Sequence, residues 1–183
     1  MKNPSQIVES DQLVFAGKIA KVHKVMLRMD DGQVVSRELI RYPGAAVVLP
    51  VLDDGSIVLI RQYRFAVGGI IYELPAGMLD GDEDPAGCAV RELAEETGYV
   101  PGELIKLIEF YSAPGTSDEV LHAFLASKLK PGPQALEMHE QITLEIVSDA
   151  RARQMVLSGE IRDGKTIATL SLYWLGGHGP KSP

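Results

Sequence analysis

Cysteine is all but missing. Cys88 is the only one in 183 residues, so neither an internal disulfide nor a multi-cysteine zinc site can form. Basic residues are outnumbered, 18 Lys and Arg against 25 Asp and Glu, giving a net charge of −7 at pH 7. That balance lacks the broad basic footprint that neutralises a phosphate backbone, and DNA or duplex RNA is excluded as the main partner. Long apolar runs are absent as well. The longest, Ala45 to Leu52, is broken by Pro50 and falls far short of the ~20 residues a bilayer span requires. The opening MKNPSQIVESDQ is polar and has no apolar core of the signal-peptide kind. No internal repeat or low-complexity tract interrupts the chain. What remains, 45% hydrophobic and 23% charged residues, describes one soluble globular domain with at most a small appendage, and a reducing cytoplasm suits it best.

The first forty residues read as strands, since β-branched stretches are punctuated by turn residues. Val25, Leu27 and Met29 alternate with polar neighbours up to Asp30-Asp31-Gly32, and Val34 to Ile40 return, which predicts a hairpin. A second hairpin is expected from AAVVLPVL, the turn Asp53-Asp54-Gly55 and SIVLIRQYR, whose nearly continuous apolar strands suit burial on both faces. The first helical signals come at Asp84, a good N-cap, with Pro85 at the first helical position and Gly98 at the C-terminus. Ala86, Ala89, Val90, Leu93 and Thr97 form its weakly apolar face. LIKLIEFY and EVLHAFLASKL read as strands around the loop SAPGTSD. KPGPQALEMHEQ reads as a loop, ITLEIVS as a strand, and DARARQMVLSG and GKTIATLSLYWL as closing helices before the tail GGHGPKSP. Strands on both sides of a central helix, with helices at the end, predict an α+β fold with a mixed central sheet sandwiched by helices.

The chemistry concentrates in GMLDGDEDPAGCAVRELAEETGY, Gly77 to Tyr99. It holds seven carboxylates against the single Arg91, so six of the seven net negative charges belong to this stretch. On the predicted helix Glu92, Glu95 and Glu96 share one face, where like charges repel. Glutamates on a helix are most often its solvated side, yet hard oxygen ligands in such a cluster are also what Mg²⁺ or Mn²⁺ prefers. The flanking residues decide. Gly77, Glu83, Arg91, Glu92, Leu93, Glu95, Glu96 and Gly98 have the spacing G-x5-E-x7-R-E-U-x-E-E-x-G-U, with U a bulky aliphatic residue. A chance match somewhere in the chain is roughly a one-in-a-million event. This spacing resembles the Nudix box, the signature of hydrolases that cleave a nucleoside diphosphate linked to another group. Tyr99, at the final aliphatic position, is the sole departure and touches no ligand position.

The resemblance implies an α/β/α sandwich, with Glu92 and Glu96 as principal metal ligands and Glu95 as a further ligand or ligand partner. It implies a water-linked or supporting role for Glu83, and Arg91 as the group that orients a glutamate. Two or three Mg²⁺ ions, with Mn²⁺ as a substitute, would straddle a pyrophosphate and activate water. Gly77 is expected to permit an unusual turn and Gly98 a left-handed helix end. RQYR (Arg61 to Arg64), YELPAG (Tyr72 to Gly77) and Pro114, sixteen residues after Gly98, resemble the ADP-ribose pyrophosphatase and nucleoside diphosphate sugar hydrolase branch. By that likeness Arg64 contacts a phosphate or the terminal ribose, with Arg61 beside it, and the Ala76 carbonyl completes a metal site.

In this branch an N-terminal β extension, here residues 1–42 ahead of a domain spanning 43–175 and a tail at 176–183, pairs two subunits and supplies part of the nucleotide pocket. Arg37 and Glu38 match positions that grip adenosine. They are adjacent on a strand and can serve one pocket only if the strand is bulged. Phe15 is a candidate stacking surface for the base, weighed against core packing, the more frequent role of such a residue. The proton of the attacking water would go to a loop carboxylate, Glu140 or Glu137, with Glu119 in the Pro114 loop as rival. His139 reads as solvated, and Cys88 as a packing residue.

The expected activity is Mg²⁺-dependent hydrolysis of ADP-ribose or a related nucleoside diphosphate sugar to a nucleoside monophosphate and a sugar phosphate, by a homodimer with a shared site. The alternatives are another Nudix substrate, such as GDP-mannose, a dinucleoside polyphosphate or a damaged nucleoside triphosphate, and a non-catalytic ADP-ribose sensor. RQYR and Pro114 argue against the triphosphate, and the intact glutamate cluster against a sensor.

Overall fold

A computed structural model describes residues 6–136, 138 and 140–179. The expected loop carboxylate Glu137, together with His139, lies outside the described residues. Backbone contacts divide the chain into two compact units, one of residues 1–43 and 111–120, the other of 44–110 and 121–183. The second unit thus interrupts the first, because the strand-connecting loop of 112–119 joins the N-terminal strands.

In the first unit β1 (Ile7–Ala16), β2 (Lys21–Arg28) and β3 (Val34–Arg41) form an antiparallel sheet in the order β1-β2-β3. The expected hairpin is β2 and β3, with Gly32 at φ 84° in its turn. β1 carries two register shifts, between Val8 and Ser10 and between Leu13 and Phe15. All ten of its residues are exposed, so Phe15, 61% exposed, does not pack into a core. The 112–119 loop docks on the end of β3: Ile40 N–H donates to the Thr116 carbonyl and Arg41 Nη1 to Asp118 Oδ2, both at 2.8 Å.

The second unit is built on β4 (Ala45–Pro50), β5 (Ile57–Arg64), β6 (Gly69–Glu73), β7 (Ala76–Met78), β8 (Tyr99–Val100), β9 (Glu103–Tyr111), β10 (Val120–Ser127), β11 (Lys130–Pro131) and β12 (Ile142–Val147). Its helices are α1 (Pro85–Thr97), α2 (Asp149–Ser158) and α3 (Gly164–Leu175). A mixed four-stranded sheet runs β7-β4-β10-β9, with β4 and β10 parallel and β4 and β7 antiparallel, and a separate antiparallel sheet runs β12-β5-β6.

The Asp53-Asp54-Gly55 turn forms as read, with Gly55 at φ 82° and Ser56 N–H on Asp54 Oδ1 at 2.9 Å. Its arms do not make the expected hairpin. They separate after the single bridge Val51↔Ile57, because β4 and β5 are each central in a sheet and take strand partners on both sides. The loop after β10 also contains a short strand, β11, which pairs with β8 right behind α1.

The period-two alternation along β4 and β10 makes the sandwich. Ala46, Val48, Phe124 and Ala126 pack with Cys88, Ala89 and Leu93 of α1. Val47, Leu49, Ala123 and Leu125 face the opposite core, with Ile57 and Leu59 of β5, Met155 of α2 and Leu170 and Tyr173 of α3. On α1 the buried face includes Cys88, while Val90, expected there, is 36% exposed. Each helix begins on a side-chain cap: Asp84 accepts from Gly87 N–H, Ser148 from Arg151 and Asp163 from Thr166. Among the described residues no helix is long and apolar enough to cross a membrane.

Candidate active site

One face of α1 is buried against β4 and β10, which leaves the neighbouring ridge with Glu92, Glu95 and Glu96 turned toward β7 and the segment after β11. Glu96 is only 2% exposed, and its Oε2 accepts the Ala76 N–H at 2.9 Å. Arg91 gathers the rest of the motif. It donates through Nε and Nη2 to Glu83 (3.0 and 2.8 Å) and through Nη1 to Glu92 Oε1 (2.6 Å) and Glu95 Oε2 (3.2 Å). The arginine therefore holds three glutamates, as its orienting role requires. Its hydrogen bonds hold Glu83 down to a pKa of about 2, so that carboxylate is ionised at any working pH.

The inner pair behaves oppositely. Burial pushes Glu96 up to about 8, and the charges of Glu92 and Glu140 add to this against the Ala76 hydrogen bond. Burial also raises Glu92, with Arg91 opposing and Glu95 and Glu140 reinforcing. Glu140, from the segment leading into β12, is therefore brought within electrostatic reach of both. A buried and a half-buried carboxylate crowded this way call for positive charge beyond one arginine. A hard divalent cation, which takes oxygen donors and keeps several waters, fits this donor set. Among the described residues no three such side chains converge into a finished cage, and Arg91 holds Glu92 and Glu95.

The motif glycines have distinct reasons. Gly77 does not sit at positive φ in an unusual turn, as the sequence suggests; it lies in β7, where a Cβ would collide with the Glu92 carboxylate. Gly98 does end α1 left-handed, at φ 74°, and the Gly132 carbonyl lies against the position of its missing side chain. Gly132 N–H donates to Gly98 O at 2.6 Å, Gln134 Nε2 to Glu96 O at 2.5 Å and Ala135 N–H to Glu95 O at 3.0 Å. The segment approaching Glu140 thus satisfies the C-terminal carbonyls of the glutamate helix. Cys88, buried and donating toward the Gly77 and Met78 carbonyls, has its thiol pushed up to about 12 by burial, the state of a packing residue.

Arg64, at the end of β5, is gripped by Glu73 of β6 through Nε (2.6 Å) and Nη2 (3.0 Å). Arg61, exposed on the same strand, stacks over its cross-strand partner Tyr72 with 5.6 Å to the ring centroid. Glu73 and Lys165 stand in no catalytic motif of the sequence. The available signal was a carboxylate inside the apolar run IIYELP and a lysine directly behind the Asp163 cap.

The remaining candidates, Phe15, Arg37, Glu38, Pro114 and Glu119, belong to the first unit. β2 and β3 pair without a register break from Lys21↔Arg41 to Arg28↔Val34, so Arg37 and Glu38 point to opposite faces and no bulge unites them. Arg37 Nη1 donates to the neighbouring Ser36 carbonyl at 2.9 Å. In the Pro114 loop Glu119 is held by its backbone, its N–H on Ser117 Oγ at 3.1 Å and its carbonyl accepting from Ser112 at 3.3 Å.

Residues 41–168 match the family model described as NUDIX domain. The chain is 36% identical over 168 residues, 91% of each chain, to the ADP-ribose pyrophosphatase of Bacillus subtilis (strain 168). It is 38% identical over 157 residues, 79% of this chain and 82% of the other, to a GDP-mannose pyrophosphatase of Shigella flexneri. A structure described as an ADP compounds hydrolase superposes with a TM-score of 0.84 at 22% identity, over 98% of this chain and 97% of the other, and so shares the fold. With the glutamate helix and its arginine in the arrangement the motif demands, the chain belongs to the Nudix family.

Proposed function

We propose that this protein is a divalent-metal-dependent pyrophosphatase of nucleoside diphosphate sugars, with ADP-ribose as the leading substrate, acting as a homodimer paired through its first unit. The observation that carries the reading is the crowding of half-buried Glu92 and buried Glu96 with Glu140 beside them, a concentration of negative charge that only bound cations make compatible with an anionic pyrophosphate. Two or three Mg²⁺ ions, or Mn²⁺ in their place, would supply neutralisation of the pyrophosphate and a lowered pKa for a bound water.

Around them the chain's own residues divide the work. Glu92 and Glu96 are the principal ligands, Glu95 and the Ala76 carbonyl complete the set, and Arg91 keeps the carboxylates spaced while Glu83 holds Arg91. Glu140 takes the proton from the attacking water, being the described loop carboxylate nearest the metal helix in electrostatic effect. The water oxygen bonds to one phosphorus, the bridging P–O bond breaks, and the phosphate that leaves departs with the bridging oxygen. Arg64, with Nη1 left over from its pair with Glu73, binds a phosphate oxygen. The similarity to both an ADP-ribose and a GDP-mannose pyrophosphatase supports the substrate class and leaves base and sugar to experiment.

The test is incubation with Mg²⁺ and a panel of ADP-ribose, GDP-mannose, other nucleotide sugars and a dinucleoside polyphosphate, with products separated by chromatography. A nucleoside monophosphate plus a sugar phosphate is expected. Tight binding of ADP-ribose with no product would replace the enzyme by a sensor, and cleavage of the polyphosphate alone would replace the substrate class.

A further inference from the structure

Glu73 is a buried carboxylate to which the metal helix gives no task. It is 1% exposed, at the end of β6, and two cations from different elements converge on it. Arg64 from β5 takes both its oxygens, Nε on Oε1 at 2.6 Å and Nη2 on Oε2 at 3.0 Å, and Lys165 Nζ from α3 joins Oε2. Lys165 also lies 3.1 Å from Asp163 Oδ2. Asp163 caps α3 through Thr166 N–H at 2.9 Å and receives the Thr166 hydroxyl at 2.6 Å. Thr166 Oγ1 in turn accepts the N–H of Leu74, the residue after Glu73, at 2.8 Å. The carboxylate is thus fixed along its own backbone and at both oxygens.

Burying Glu73 among partly buried charges, with Arg64 still 40% exposed, is unfavourable unless each is paired, and apolar side chains of the same volume would pack more cheaply. Two acids and two bases balance here. Burial pushes Glu73 up, yet the Arg64 and Lys165 contacts outweigh it and hold the group below the usual carboxylate range. An arginine ending a strand would otherwise spread over many rotamers, and binding an anion would require ordering it first. Glu73 removes that cost in advance while occupying only the Nε and Nη2 edge of the fork. Arg64 raises its proton affinity first through the Glu73 hydrogen bond and further through the charge of Glu96, which places it within the field of the metal helix.

We propose that Glu73 is a positioning residue for the pyrophosphate, presetting the Arg64 guanidinium as a phosphate donor, with Lys165 pairing with the carboxylate and holding it in place. This rests on the pyrophosphatase reading for the role of Arg64. It adds to that reading a residue pair, Glu73 and Lys165, that reaches substrate only through another side chain.

The experiment is a double-mutant cycle of wild type, Glu73→Gln, Arg64→Ala and the double variant. Two readouts are used: Kd for inorganic pyrophosphate with Mg²⁺ by calorimetry, and KM and kcat with ADP-ribose. Glu73→Gln is expected to raise Kd and KM about tenfold, the size of one lost charge-assisted hydrogen bond, with kcat changed less than about threefold. On the Arg64→Ala background the same substitution should add nothing. An equal loss on both backgrounds, or a fall in kcat at unchanged KM, overturns the proposal. Because Glu73→Gln takes from Lys165 one of its two carboxylates and leaves the cluster with an excess positive charge, Glu73→Gln/Lys165→Met repeats the cycle with the charges balanced, and wild-type affinity in that variant also overturns it. If wild type cleaves no nucleotide sugar while the pyrophosphate cycle is non-additive, the substrate reading fails and this inference stands; nucleotide-sugar turnover with an additive cycle gives the reverse.

Discussion

Glu96 combines two demands on one side chain. A carboxylate 2% exposed and pushed up to about 8 takes up a proton on folding across the interval from its ordinary value to about 8. Without metal, its contribution to stability is therefore complete below the ordinary carboxylate range and is lost as pH rises through about 8. Glu92, raised in the same way, acts in the same direction. Glu73, held low by its cations, acts oppositely, contributing above the ordinary range and losing that contribution in acid. Glu96→Gln removes the first liability together with a proposed metal ligand. In EDTA at pH 8 the variant is expected to melt about 2–4 °C above wild type, a gain of about 1 kcal/mol for a chain of this length, and the difference should vanish near pH 4. The same variant should lose most turnover and the Mg²⁺-induced rise in melting temperature expected of wild type, as followed by differential scanning calorimetry. An unchanged Mg²⁺ response would remove Glu96 from the ligand set.

The element that matters most is α1 with its two ends. Asp84 and Pro85 start it and Gly98 stops it, and these signals are legible because capping is local chemistry. Its end does more than stop the helix. Gly98 lies under the Gly132 carbonyl, and the segment that follows β11 closes the helix by bonding its last carbonyls. Gly159, at the end of α2, is a natural control: its φ of 77° is nearly the same, yet nothing lies within 4 Å of a Cβ placed there. Gly159→Ala should cost about 1 kcal/mol, the left-handed penalty alone. Gly98→Ala should cost about 2–4 kcal/mol, since a clash with backbone is added to backbone strain. Urea titration of the two variants measures the difference, and equal losses would show that the 132–135 segment yields without cost.

At the scale of the whole molecule, β1 has ten exposed residues, among them Ile7, Val8, Leu13, Val14 and Phe15. An apolar edge of that kind invites pairing with another chain. Light scattering is expected to give twice the 19.9 kDa chain mass, and Leu13→Lys/Phe15→Lys should restore the monomer; a wild-type monomer would end the shared-site expectation. The sequence by itself determined the longer strands and helices, the caps and the glutamate helix, because periodicity, turn residues and the Nudix spacing are carried by neighbours in the chain. It also carried the chemistry, since six of seven net charges fall in one motif. Only the tertiary structure decided that β4 and β5 part into separate sheets, that Gly77 makes room for Glu92, and that Arg37 and Glu38 face apart. It alone joined Glu73 to Arg64, 9 positions away, and to Lys165, 92 positions away. Such facts depend on which strand completes which sheet and which side chains then share a buried space, and no window of neighbouring residues contains them.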